Sequence, residues 1–172
     1  MYGHGAPVAD TEARAALGRR GSSVFPTPPR EVLAARHYAT ANARSRELTG
    51  RGISRQSYAI ASKVLEVEPL AAADRRIYEV HPEVSFLALA GAPLEHSKHK
   101  WNGLLQRRAL LAEAGIQVPD DVGEVGGVAT PDDILDAAVA AWSAARIAAG
   151  AARSYPTPPE RDINGRDIAI WY

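Results

Sequence analysis

Apolar residues recur at helical spacing through most of the chain. Tyr58, Ala61, Val64 and Leu65 share one helical face behind Ser54, whose hydroxyl is suited to cap free amides, and Pro69 is expected to kink or stop that helix. The same pattern predicts helices over 10–17, over 27–35, up to Gly50, over 82–90, over 98–114 and over 130–149. Asp10 and Thr27 read as N-caps, Pro82-Glu83 as a first helical turn, and Thr130-Pro131-Asp132-Asp133 as a capping box whose acid is one carbon short. Residues 22–25 read as extended and 115–129 as a loop. Two segments read as strands, 76–81 and 167–171, while the prolines at 156–159 echo those at 26–29 and read as a second proline turn. Two strands do not make a stable sheet without a packed face and covered edges, so either helices dominate or part of the sheet is missing.

The 172 residues suit one domain over 10–172 with a frayed or disordered stretch at 1–9. Cysteine is absent, which excludes disulfides, thiolate metal sites and a cysteine nucleophile and suits a reducing cytoplasm. The start, Met1-Tyr2-Gly3-His4-Gly5, reads as no signal peptide, and no apolar run is long enough for a membrane span. Formal charge is zero, which argues against a non-specific nucleic-acid binder, although basic groups gather at Lys98-His99-Lys100 and Arg107-Arg108 and acidic ones at Asp120-Asp121 and Asp132-Asp133. Alanine is abundant and aromatics are few, which favours packed helices.

Candidate chemistry lies in two acidic clusters. On a strand, Glu79 and His81 share a face, and Glu83 follows where a helix begins. The helix dipole alone explains Glu83, and His81 before a proline has a capping role open to it, whereas a carboxylate at Glu79 inside an apolar strand needs a partner. Asp132 and Asp133 suit a helix start, but Asp136 lies a turn further in and shares a face with Asp133. Carboxylates converging from a strand and a helix suit Mg²⁺ or Mn²⁺, ions that activate water for phosphodiester hydrolysis. His96 and His99 lack a third ligand at zinc spacing, and Lys63 near Glu66 suits an exposed ion pair. No phosphate loop, nucleophile elbow or dinucleotide fingerprint is present.

Several of these segments together resemble a known family. Residues 19–29 (RRGSSVFPTPP), 79–86 (EVHPEVSF), 132–137 (DDILDA) with Trp142, and the ending 169–172 (AIWY) are similar to a bacterial family of predicted nucleases, domain of unknown function 429, assigned to the ribonuclease H-like fold. Residues 52–56 (GISRQ) and 63–68 (KVLEVE) look like it too, with Glu68 where an aspartate is usual. The resemblance implies a helix-rich α/β fold in which Asp133, Asp136 and Glu79 act in catalysis and hold Mg²⁺ or Mn²⁺. His81 and Glu83 would support them, and Lys63 and Lys98 would meet a phosphate. The family's glycine-rich first strands and their aspartate have no counterpart in this chain, so a partial fold, inactive alone, is expected. The substrate would be a nucleic acid or a small phosphorylated metabolite. The alternative is a non-catalytic interaction module, with a homodimer covering its exposed faces.

Overall fold

The structure, a computed structural model, describes residues 7–172. Helix α1 (Val8–Leu17) begins behind Pro7, two residues before the expected start, and Ala9 is already buried. Of the stretch read as frayed, residues 1–6 lie outside the described residues. Asp10 does not cap its own helix; from within the first turn its carboxylate accepts the Thr27 amide at 2.6 Å. Gly18, at φ 52°, ends α1 in a backbone region that glycine enters without steric cost. A 3-10 turn (Gly18–Ser23) then leads to α2 (Arg30–Leu33), which starts after Pro29 rather than Thr27, and to α3 (Tyr38–Thr49).

Ser54 caps α4 (Arg55–Ala59), its hydroxyl accepting the Ser57 amide at 2.9 Å, but the single helix expected behind it breaks at Ile60. Helix α5 (Ala61–Ala73) runs through Pro69, so the proline does not stop it. Helices α6 (Pro82–Ala90), α7 (Trp101–Glu113) and α8 (Pro131–Ala148) follow, and both bonds of the Thr130/Asp133 capping box are made. A 3-10 turn (Gly123–Gly127) lies between α7 and α8.

The sheet is one antiparallel pair, β1 (Ser154–Arg161) and β2 (Asp167–Trp171). Ser154 faces Trp171 and Glu160 faces Ile168, with a break in register between them. The prolines read as a turn lie inside β1, at that irregularity, where missing amide donors are tolerated. The expected strand over 76–81 is not formed. Ile77 sends its amide back to the Asp74 carbonyl, and only Val80 bridges in parallel to Trp171, with the Trp171 amide donating to the Glu79 carbonyl at 2.9 Å. The Tyr78 ring meets Trp171 edge-on at 5.6 Å.

Three apolar clusters hold these elements. Ala13, Leu17, Val84 and Ile170 join α1, α6 and β2. Phe86, Leu111, Leu135 and Val139 join α6, α7 and α8. Val32, Ala41 and Ile53 form a smaller cluster under α2 and α3. Helix α5 packs on α2 and α4, but Ala61 is its buried residue; Val64 and Val67 stay 40% and 46% exposed. Of the predicted apolar stripe, Ala61 is buried and Tyr58 and Leu65 half-buried, whereas Val64 is left exposed. No helix among the described residues is long and apolar enough to cross a membrane.

Candidate functional site

An open cleft of about 1170 Å³ separates the uncovered face of α5 from β2 and the segment leading into α6. Its walls bring together Asp10 of α1, Glu79 and His81, Lys63 of α5 and Asp136 of α8. These residues are far apart in sequence, and α1, α6 and β2 meet in one apolar cluster, so packing sets the floor of the cleft.

Glu79 is open to solvent yet backed by protein, as a group on the floor of a groove must be. Burial, with the nearby Asp10 carboxylate adding to it, pushes its carboxyl up to about 7. Asp10 is likewise raised by burial, against the lowering effect of its bond from Thr27. In the unfolded chain Glu79 titrates at the ordinary glutamate value, so the fold binds more protons between that value and about 7. The stability this gives is present below the unfolded value and lost as pH rises through the folded one. Glu79→Gln cannot ionise. Its melting temperature minus the parent's should therefore become more positive from about pH 5 to about pH 8. A difference that stays flat across that range would contradict the shift.

His81 occupies the N-cap position of α6, where its carbonyl accepts the Val84 and Ser85 amides but its side chain makes no cap bond. Its Nε2 lies 3.2 Å from the Ser23 carbonyl, an acceptor, so Nε2 carries the proton and Nδ1 keeps a lone pair. That Nδ1 is buried and unpartnered among the described residues. Burial also lowers the imidazole pKa, so the neutral ring is favoured.

Asp136 accepts the Lys98 ammonium on Oδ2 at 2.7 Å, and its buried Oδ1 has no described partner. Lys98 also lies 3.2 Å from Asp132, which in turn faces His99 Nδ1 at 3.3 Å. Burial raises the pKa of Asp136, and the neighbouring carboxylates of Glu83 and Asp132 add to this against Lys98. Burial opposes the charge on Lys98, yet its bonds to Asp136 and Asp132 leave its pKa raised. Both directions fit a site with more carboxylates than cations.

Of the remaining expected residues, Asp133 and Glu83 lie outside the cleft lining, while Lys63 is part of it. Asp133 is exposed and takes both the amide and the hydroxyl of Thr130, so its carboxylate is engaged at the helix start. Glu83 is buried and receives Arg107 at 2.5 Å, with Arg20 at 4.0 Å. Lys63 pairs with Glu66 at 3.0 Å on the exposed side of α5. Asp10 and Arg107 were not singled out from the sequence as site residues. Arg107 carries a signal, because it falls on the helical face of Leu104 and Leu111; nothing near Asp10 marks it.

The implied Mg²⁺ or Mn²⁺ requires several oxygen donors around one point. Among the described residues no three His, Asp or Glu side chains are grouped to hold a metal ion. Glu79 and the free oxygen of Asp136 are suitable donors, but they do not close a ligand set, and no catalytic step through a metal follows from this chain.

No curated protein and no solved structure matches the chain. A family model described as "Protein of unknown function (DUF429)" matches residues 3–161. Since that match spans most of the 172 residues, the chain belongs to the DUF429 family.

Proposed function

We propose that this DUF429 chain is a partial phosphodiester-hydrolase domain that contributes one acidic wall of a cleft and has no turnover alone. One observation carries the reading. Glu79, His81 and Asp136 line a single cleft with Asp10, each with an unsatisfied or raised-pKa group, yet among the described residues no three donors are grouped. Perturbed titrating groups in a cleft favour chemistry over packing. Glu79 and Asp136 would bind Mg²⁺ or Mn²⁺ only with further donors in the cleft. Neutral His81 has a lone pair with which to accept a proton; Lys63, Arg75, Arg161 and Arg166 line that space as cations for a phosphate, and Lys98 reaches it only through Asp136.

The test is hydrolysis of bis(4-nitrophenyl) phosphate and of a short single-stranded oligonucleotide, with Mn²⁺ and with Mg²⁺. The chain alone is expected to give no rate above its Asp136→Asn variant. Turnover by the parent that Asp136→Asn removes would overturn the proposal. Neutral net charge keeps a small phosphorylated metabolite as a substrate class, which 4-nitrophenyl phosphate monoester in the same assay would reveal. The second reading is a non-catalytic interaction module, favoured by the uncovered face of α5.

A further inference from the structure

The acidic site leaves the apolar half of the cleft unexplained. Ile60, between α4 and α5, and Val64 and Val67 of α5 line it while 48%, 40% and 46% exposed, and Ile77 and Tyr78 line it opposite, each 42% exposed. Such facing apolar walls are not matched by a phosphate or a bare cation. Beside them runs open backbone. The Glu79 carbonyl is taken by Trp171, which turns that residue towards β2, but the amides of its neighbours Tyr78 and Val80 donate to no described backbone carbonyl. Extended chain with unused donors and acceptors is a template for one more strand.

We propose that the cleft receives an extended strand of another polypeptide, lying along residues 78–80, with apolar side chains against α5 and a lysine or arginine over Glu79. A strand points alternate side chains to opposite faces, so one set can meet the α5 wall while the other meets the acidic floor. Charge selects the cation. The charged group that acts on Glu79 is Asp10, of the same sign, and no basic side chain bonds Glu79 among the described residues. Lys63, Arg75, Arg161 and Arg166 also line the cleft, but none of them bonds Glu79, so next to Asp10 the Glu79 carboxylate repels a phosphate and attracts a cation. The strands of this chain are poor guests: β2 is already paired and β1 carries Pro156, Pro158 and Pro159, which have no amide to donate. A strand from a different protein fits better than a second copy. This proposal does not rest on the hydrolytic reading.

The probe is a dye-labelled, acetylated peptide of about six residues alternating valine and lysine, titrated with the full chain and read by fluorescence anisotropy. Saturable one-to-one binding is expected. Replacing its lysines by glutamate should weaken binding about tenfold or more, and N-methylating its alternate amides should abolish it. Val64→Asp, at an exposed position, should abolish binding without lowering the melting temperature. Glu79→Gln should erase the preference for lysine over glutamate. Trp101→Ala, outside the cleft and 71% exposed, should bind as the parent does. No binding by the parent would overturn the proposal, as would binding indifferent to N-methylation and to Val64→Asp. A homodimer dispersed by Val64→Asp would also overturn it, since a second copy would then be the occupant.

Discussion

Replacing Arg107 by methionine is expected to destabilise the protein by about 3–5 kcal/mol, the cost of leaving a buried ion without its partner. Arg107 is fully buried, and its guanidinium donates to Glu83 at 2.5 Å, to the Gly103 carbonyl at 3.0 Å and to the His96 carbonyl at 3.2 Å. It also stacks over the Phe86 ring, 5.3 Å from its centre. Methionine keeps much of the volume but removes every donor. The Glu83 carboxylate would be left with Arg20 at 4.0 Å, a poor substitute. For a chain of this size the loss corresponds to a fall of roughly 10 °C in melting temperature by calorimetry. Adding Glu83→Leu should recover much of it, because the uncompensated charge then disappears. A fall of less than about 2 °C in Arg107→Met would show that the pair is not a main support of the fold.

Gly103→Ala is expected to cost about 1–3 kcal/mol, towards the upper end because the obstacle is backbone. A methyl carbon there would lie 1.9 Å from the Ser97 carbonyl oxygen and 2.6 Å from its carbon. Either α7 or the loop must move, and the loop leads directly to Lys98. The Lys98 ammonium would then shift from Asp136 and Asp132, removing the cation that opposes the raised pKa of Asp136. Calorimetry should show a melting temperature lower by several degrees. Carbon-detected NMR of the aspartate carboxyls should show Asp136 titrating higher than in the parent. An unchanged melting temperature together with an unchanged Asp136 titration would contradict this packing.

These two sites show which parts of the fold local sequence expresses. The Thr130 capping box, the Ser54 cap and the glycines that end α3 and α6 act within a few residues, so spacing reveals them. The 76–81 segment alternates like a strand but has one bridge, because strand formation depends on neighbours that local pattern does not contain. β1 was hidden by its prolines, which signal turns locally yet sit at a register break here. The apolar stripe of α5 was legible, but periodicity does not say whether anything covers it.

The candidate site divides in the same way. Glu79 was marked by being a carboxylate in an apolar stretch, and Asp136 by lying beyond the reach of capping; both line the cleft. Asp133 looked like their partner from its spacing, but its bonds to Thr130 engage it at the helix start. Asp10 enters through the packing of α1 on α6 and β2, a long-range event with no local signature.

Among its described residues the chain carries carboxylates in a cleft wall without a complete metal-binding donor set. Calorimetric titration of the purified chain with Mn²⁺ at about pH 8, where Glu79 is ionised, tests it most directly. Weak, non-saturating heats up to about 1 mM are predicted, unchanged in Asp136→Asn and Glu79→Gln. Saturable binding of one ion at micromolar concentration, weakened about tenfold or more by either substitution, would contradict the account.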